Sequence, residues 1–214
     1  MPTPIHSKII NNIAREILKE HGIERKGQSR TWLDDQYWFT TIIEFQPFKD
    51  RQGTSLNVGV NFHWYQKEYF SFDIGSRESE FIDFVNEKQF EIEMKSLVEL
   101  ALIRVLELRE KLSDLKTGTN TILNHEFTSD NLWGNYHRAI ISGLNNQKEK
   151  SEQYFNLILK NKLKYDWELK LKQRVEKLIK ELNNIANFQK TIDKVIEKTR
   201  NKKKLKPTEL KKVW

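Results

Sequence analysis

The spacing of the apolar residues changes twice along the chain, and this change constrains the fold more than any other sequence feature. Over residues 7–21 isoleucines and leucines recur every three or four positions, which is typical of an amphipathic helix. Over residues 29–74 the period falls to two, most clearly between 56 and 64. Helical spacing returns from residue 79 onward. The sequence therefore predicts an α+β fold: an N-terminal helix, an antiparallel meander of three to four strands, and then helices.

The second half of the chain is predicted to contain a helix hairpin and a long basic helical extension. Residues 132–142 and 148–161 have helical patterns and are separated by a break that contains Gly143, so we expect two antiparallel helices. A further break is expected over 116–120, around Gly118.

Beyond residue 162 the apolar residues follow a heptad pattern, stepping by four and three positions. They are Leu171, Val175, Leu178, Leu182, Ile185, Ile192 and Ile196, with the polar Gln189 among them. Two interpretations stay open. One is a long helix that pairs with a second copy of the chain and makes a homo-oligomer; the other is two helices folded into a hairpin at Asn183, Asn184 and Asn187.

These patterns divide the chain into three predicted parts. The first is an α+β domain over residues 1–162, the second an amphipathic basic helix or helix hairpin over 163–200, and the third a basic mobile tail over 201–214. No stretch approaches the roughly 20 apolar residues needed to span a bilayer, and the N-terminus lacks a signal-peptide pattern. We therefore expect a cytoplasmic protein with no membrane association.

Charge is unevenly distributed, and the basic residues concentrate near the C-terminus. Residues 160–214 hold 18 Lys or Arg and seven Asp or Glu, whereas residues 1–159 hold 19 and 23. A positive block on a mildly acidic body is typical of an arm that binds nucleic acid or another acidic partner. However, 16 of the 18 cations are Lys, which also fits a solvated helix face, because bidentate phosphate recognition favours Arg. The candidate phosphate or acidic-partner contacts are Lys170, Lys172, Arg174, Lys177, Lys180, Arg200, Lys202, Lys203, Lys204 and Lys206.

The sequence contains no recognisable catalytic motif. The chain has no Cys, which excludes disulfides, thiolate zinc sites and cysteine nucleophiles. It also has no Gly-rich phosphate loop and no GxSxG serine elbow. His125, Glu126, Asp130 and His137 form the most metal-like cluster, but their spacing is unsuited to a metal site and Asp130 is placed to cap a helix. We predict no catalytic residue, no metal and no cofactor.

A row of polar residues on neighbouring strands is the second candidate binding region. If the strands pair in ordinary register, Asn57, Asn61 and His63 lie beside Glu44 and Gln46. This row is either the solvated face of the sheet or, together with nearby tryptophans, a surface for a ligand or protein. The alternative for most of these aromatic residues is a place in the core. The candidate binding residues are Trp32, Trp38, Glu44, Gln46, Asn57, Asn61 and His63.

Several short motifs resemble one bacterial family. They are the helix over residues 13–18, Gly22, Arg25-Lys26-Gly27, Trp32, Glu44-Phe45-Gln46, Asn57-Val58-Gly59-Val60, and the segment WGNYHRAIISGLNNQKEKSEQYFNLIL. In these residues the chain resembles the bacterial domain of unknown function 4304 family over about residues 8–162. The resemblance implies an α+β domain, gives no catalytic residues, and brings an association with toxin–immunity or phage-defence genes. The basic extension departs from the family pattern.

Two classes of function follow from these observations. Because no catalytic motif is found, we expect first a non-enzymatic protein-interaction module, associated through the resemblance with toxin immunity or phage defence. The alternative is a nucleic-acid-binding accessory protein that uses the Lys-rich C-terminal region for non-specific, salt-sensitive phosphate contacts. An enzyme is the weakest of the three interpretations.

Overall fold

The computed structural model describes residues 3–162, 164–209 and 214, with the side chain of Asp130 outside that description. The chain forms two compact units. Unit 1 contains the chain up to Phe62 together with Tyr69–Arg109, and unit 2 contains His63–Glu68 and the chain from Glu110 onward. The predicted boundary lay at residue 162. The observed division falls at 109/110 instead, so the basic extension shares unit 2 with the helices that precede it.

Unit 1 is built from two helices and a six-stranded antiparallel sheet. The strand order is β1-β2-β3-β4-β5, and β6 pairs separately with β4. The elements are α1 (Ile5–Lys19), β1 (Glu24–Arg25), β2 (Thr31–Asp35), β3 (Phe39–Phe48), β4 (Arg51–Phe62), β5 (Ile74–Arg77), β6 (Ile82–Asp83) and α2 (Glu87–Lys111), of which the last two residues fall in unit 2. The predicted α+β class, N-terminal helix and antiparallel meander are confirmed.

The core of unit 1 lies between one face of the sheet and the two helices. The β3–β4 register sets Ile43 opposite Val58 and Phe45 opposite Leu56, which places four apolar side chains on one face. They pack in one cluster with the apolar stripe of α1 and with α2 residues such as Met94. The period of two extends to residue 74 in the sequence, but the last strand of the sheet order β1-β2-β3-β4-β5 lies later than this pattern predicts, because β5 begins only at Ile74.

Helix α1 begins two residues before the predicted start at residue 7 and ends at Lys19, two residues before the predicted end at residue 21. Its first residue is Ile5, with Pro4 at the N-cap position, so Ser7, the first residue of the predicted helical pattern, lies inside the helix and is buried. At the other end Gly22 has φ +75°, a conformation that glycine adopts at little cost. The Ile23 amide bonds the Leu18 carbonyl at 3.2 Å and the Gly22 amide bonds the Lys19 carbonyl at 3.0 Å, the pairing of a Schellman stop.

The described secondary-structure elements of unit 2 are all helices. Its elements are α3 (Leu115–Asn124), a π-helical turn (Asp130–Gly134), α4 (Asn135–Leu144), α5 (Lys148–Leu159), α6 (Asp166–Glu181) and α7 (Ile185–Lys202). The break expected over 116–120 is wrong, because α3 spans it: the Asp114 side chain caps this helix by accepting from the Lys116 and Thr117 amides at 2.7 and 2.9 Å. Helix α3 therefore contains Gly118 in its first turns.

The basic extension forms a helix hairpin, one of the two interpretations left open. Helix α6 ends at Glu181, and the Asn184 side chain caps α7 by accepting from the Asn187 amide at 3.2 Å. The apolar residues that the hairpin buries in unit 2 are Leu171, Val175, Leu178, Leu182, Phe188, Ile192 and Ile196. In the described helices the heptad stripe is thus covered by the chain's own unit 2, and it presents no apolar face for a coiled coil between copies.

A glycine allows the hairpin to pack closely within unit 2. A Cβ atom added at Gly143 of α4 would lie 2.7 Å from Phe188 Cε1 and 3.0 Å from Leu182 Cδ2.

Among the described residues, no helix is both long and apolar enough to cross a membrane.

Candidate nucleic-acid interface

The predicted polar row on the sheet forms, but its groups bond one another. Glu44 lies directly opposite Asn57, as expected. The Asn57 Nδ2 amide donates to Glu44 Oε2 and to Gln46 Oε1, each at 3.0 Å, and Arg77 donates to the same Gln46 oxygen at 2.8 Å. Asn61 is fully buried and donates to Asp73 Oδ2 at 2.9 Å. These polar groups are largely satisfied inside unit 1.

The other three residues predicted on this surface are buried. Trp32 is 2% exposed and belongs to the apolar core of unit 1. Trp38 is 1% exposed and stacks on Phe62 at 5.8 Å between ring centroids. His63 is also buried, and it belongs to unit 2 rather than to the sheet. The sequence interpretation of an aromatic binding surface here is therefore wrong for the two tryptophans, because both serve the interior.

Among the predicted basic contacts, Arg174 binds inside unit 2. Its Nε atom donates to the Tyr136 hydroxyl at 2.7 Å and its Nη2 atom donates to the Trp64 carbonyl at 3.0 Å. The guanidinium also lies over the Tyr65 ring at 5.4 Å. Burial raises the pKa of Tyr136, which keeps its hydroxyl protonated, and this hydroxyl donates to the same Trp64 carbonyl at 3.1 Å. Arg174 is a structural residue of unit 2.

Two more predicted contacts are also withdrawn from solvent. Arg200 is 6% exposed and donates to the Lys206 carbonyl at 2.8 Å, and Lys203 is 8% exposed. Lys202 is exposed and pairs with Glu68 at 3.0 Å. The remaining predicted contacts are exposed, namely Lys170, Lys172, Lys177, Lys180, Lys204 and Lys206. Of these, Lys172 lies 4.0 Å from Glu176 on the same helix.

The structure reveals a more regular basic feature on α7, which we call the lysine stripe: Lys190, Lys194, Lys198 and Lys202. The four residues repeat every fourth position and all four are exposed. They lie opposite the buried stripe of α7, which includes Ile192 and Ile196. The stripe extends about 18 Å along the helix, at about 1.5 Å per residue. Three of these lysines were not predicted, although a four-residue lysine period in the sequence could have indicated them.

The stripe carries little compensating charge. Lys190, Lys194 and Lys198 form no ion pair with any described residue, and only Asp193 and Glu197 supply carboxylates on this helix. Like charges four residues apart destabilise a helix by about 0.2–0.5 kcal/mol per pair. A purely solvated face would usually alternate Lys with Glu, as Lys172 and Glu176 do on α6. The lysine stripe therefore has a cost that a polyanionic partner would remove.

A small aromatic patch lies on another part of unit 2. Trp167, near the start of α6, is 43% exposed and stacks on Trp133 with centroids 6.0 Å apart and planes 9° apart. Tyr165 and Leu169, each two residues from it in the sequence, are 65% and 44% exposed. We call Tyr165, Trp167 and Leu169 the aromatic patch. Such exposed aromatic area is typical of surfaces that bind another molecule.

These arrangements provide charge and apolar area for binding. The described residues contain no group of three or more His, Asp or Glu side chains that could hold a metal ion. Comparison with known proteins adds no identity: no family model, no curated protein and no solved structure matches the chain. The resemblance to the domain of unknown function 4304 family therefore stays a prediction.

Proposed function

We propose that the protein binds nucleic acid without sequence preference, through the lysine stripe of α7. The observation that carries this proposal is the spacing of four exposed lysines on the solvent face of a helix whose opposite face is buried. Lys acts as a mobile point charge, which suits electrostatic contact with a phosphate backbone better than recognition of a particular base. The stripe can neutralise about three or four phosphates.

Salt dependence tests this proposal directly. The affinity of the full chain for a fluorescent 20-nucleotide single strand would be measured by anisotropy over a range of KCl concentrations. For three or four phosphate contacts the logarithm of the affinity should fall against the logarithm of salt with a slope of roughly −2 to −3. Duplex DNA of the same length should give a somewhat steeper slope. A salt-independent affinity would contradict the proposal.

A matched pair of variants locates the contact. Replacing Lys190, Lys194 and Lys198 by Gln should weaken binding on the order of 100-fold at 0.1 M salt and make the slope shallower by about 2. The control replaces Lys88, Lys95 and Lys111 by Gln, three exposed lysines of α2 without the four-residue repeat. Equal losses in both triple variants would show that net charge alone drives binding, and the assignment to the stripe would then fail.

The aromatic patch favours a second candidate, the protein-interaction module. A photo-crosslinking amino acid placed at Tyr165 in cells should then form an adduct with one defined protein. The same amino acid at Asn187, which is exposed on α7 outside the patch, supplies the control. Adducts of the same composition from both positions would speak against a specific docking surface at the patch.

A further inference from the structure

A second basic feature lies in unit 1, in the part of the chain whose overall charge is slightly acidic. A cavity of about 570 Å³ opens between the polar face of α1 and the segment that connects β1 to β2. Four cations line it: Lys8 and Arg15 from α1, Arg25 from β1, and Arg30 immediately before β2. In the described part of the chain, no carboxylate lines the cavity and none of the four cations forms an ion pair.

The helix and the strands bring these cations together by ordinary geometry. Lys8 and Arg15 are seven residues apart, so they lie two turns apart on the same side of α1. That side adjoins the buried stripe of Ile10, Ala14 and Leu18. The fold therefore brings the four cations together. In the sequence they lie at least five positions apart, so no run of basic residues indicates this site.

Hydrogen bonds hold two of the arginines in place. Arg30 donates to the Gly53 carbonyl at 2.9 Å and to Ser7 Oγ at 2.6 Å. Arg25 donates to the carbonyls of Ser29 and Gln28 at 2.7 and 2.6 Å. Each guanidinium has five N–H donors, so three of them stay available on each side chain. The positive groups are thus oriented before a ligand arrives, which lowers the entropic cost of binding.

The pKa values of two of these arginines are lowered, as expected for guanidinium groups without an anion beside them among the described residues. Burial lowers the pKa of Arg30. Burial also lowers the pKa of Arg25, and the charge of Arg15 nearby lowers it further. A partly desolvated guanidinium beside another cation gains from an anion more than an exposed lysine does.

The neutral part of the lining is polar and contains one unsatisfied group. Asn11 lines the cavity and is 6% exposed, and its Nδ2 amide donates to the Ser7 carbonyl at 2.8 Å. Its Oδ1 atom is buried and has no hydrogen-bond partner among the described residues. This oxygen lies below the accessible surface of the cavity, so the hydrogen-bonding groups open to a ligand are those of exposed residues. Asn12, Gln28 and Ser29 add further amides and a hydroxyl to the wall.

We propose that this cavity binds a phosphate monoester whose organic part carries hydroxyl groups. A phosphate dianion offers several oxygens to the guanidinium groups of Arg15, Arg25 and Arg30, and Arg matches phosphate geometry with paired hydrogen bonds. The volume exceeds that of a bare phosphate, and the amide-lined wall suits a sugar. The same chemistry occurs in a free sugar phosphate and at the 5′ end of a nucleic acid. The proposal stands independently of the lysine stripe.

Calorimetry on the full chain tests the ligand class. The probes are ribose 5-phosphate, inorganic phosphate and ribose. We expect saturable binding of ribose 5-phosphate, with weaker binding of phosphate and none of ribose. Equal affinities for ribose 5-phosphate and inorganic phosphate would overturn the assignment of a hydroxyl-bearing ligand. If neither ribose 5-phosphate nor inorganic phosphate gave saturable binding, the proposal of a phosphate site would be refuted.

Two variants of α1 locate the site. Arg15 is exposed and makes no hydrogen bond to the described residues, so Arg15→Gln should preserve the fold. It should weaken ribose 5-phosphate binding by about tenfold or more. Lys19→Gln removes the same charge one turn away, outside the lining of the cavity, and should change the affinity less than about twofold because salt screens exposed charges. Similar effects of the two substitutions would refute the proposal.

Oligonucleotides distinguish the two sources of the phosphate. A 5′-phosphorylated strand that binds more tightly than its 5′-hydroxyl form, with the difference lost in Arg15→Gln, would assign the cavity to a nucleic-acid end. Equal binding of the two strands, together with saturable ribose 5-phosphate binding, would assign it to a free sugar phosphate. The 5′-hydroxyl strand also reports on the lysine stripe, so failure of one site is distinguishable from failure of the other.

Discussion

The two basic regions of this protein differ in shape and composition. In the C-terminal hairpin the cations are mostly Lys, many are exposed on helix surfaces, and Lys172 and Lys202 pair with the carboxylates of Glu176 and Glu68. In the cavity of unit 1 three of four cations are Arg, they converge on a concave space, and no carboxylate is among the described lining residues. Charge counted along the sequence identifies the first region and overlooks the second. What a small anion encounters is the local density of charge, which the fold determines.

Truncation of the hairpin should have the largest effect. The extension buries seven large apolar side chains in unit 2, each contributing about 1.5–3 kcal/mol. Their summed contribution, on the order of 10–20 kcal/mol, is comparable with the whole stability of a domain. We therefore expect a chain that ends at Asn161 to lose folded unit 2, measured as loss of helical circular dichroism beyond that of the deleted residues. A cooperative, undiminished melt of the remaining helices would contradict this packing.

Within the hairpin, Arg174 and Lys177 should behave very differently although both were predicted as phosphate contacts. Arg174→Gln removes two charge-assisted hydrogen bonds inside unit 2, so we expect the free energy of unfolding to fall by about 2–3 kcal/mol. Lys177→Gln changes an exposed residue, so the free energy of unfolding should change by less than about 0.5 kcal/mol. Urea denaturation of both variants measures the difference. Equal destabilisation would show that Arg174 lacks the structural role assigned to it.

In the cavity a loss of affinity should come with a small gain in stability. Arg15 lies near Arg25 without a compensating carboxylate among the described residues, so Arg15→Gln relieves repulsion in the unliganded protein. We expect the free energy of unfolding to rise by a few tenths of a kcal/mol at low salt. The gain should disappear at 1 M salt, where the screening length is about 3 Å. A loss of stability instead would indicate that Arg15 supports the fold of unit 1.

The smallest effect expected is a pH dependence at the edge of the same region. Burial lowers the pKa of His6, and the Arg30 charge lowers it further. The unfolded chain therefore takes up the proton at a higher pH than the folded chain, so stability should fall as the pH drops below about 6.5 towards the lower, folded-state pKa. Denaturation at pH 7.5, 6.5 and 5.5 should show this loss in the native protein and a weaker one in His6→Gln. An unchanged slope in the variant would assign the pH dependence to other groups.

Much of the fold was predictable because hydrophobic period is a local property. The helix that ends before Gly22 and the pairing of Glu44 with Asn57 follow from patterns within a few residues. The break between α4 and α5 follows in the same way, although it begins after Leu144 and Gly143, expected within it, belongs to α4. The hairpin at Asn183 and Asn184 was one of two alternatives, because the heptad spacing continues through the turn.

The sites were less predictable because they depend on which faces are covered. Trp32 and Trp38 are buried in the core, but tryptophan is also frequent on binding surfaces, and the sequence does not separate these two roles. The converging arginines come from a helix and from strands whose approach is a tertiary property. The lysine stripe, in contrast, was readable in advance from its four-residue period.

The segment His63–Glu68 has a consequence for how the protein is made. It lies between β4 and β5 of unit 1 in the sequence, yet its contacts are within unit 2. The Trp64 indole donates to His137 Nδ1 at 2.9 Å, and the Trp64 backbone carbonyl accepts from Tyr136 and Arg174. During synthesis this segment leaves the ribosome well before the helices that bind it. Unit 2 therefore cannot be completed from a contiguous C-terminal fragment. In a nascent chain the Trp64 indole lacks its partner until α4 has emerged, and the Trp64 carbonyl lacks the Arg174 donor until α6 follows.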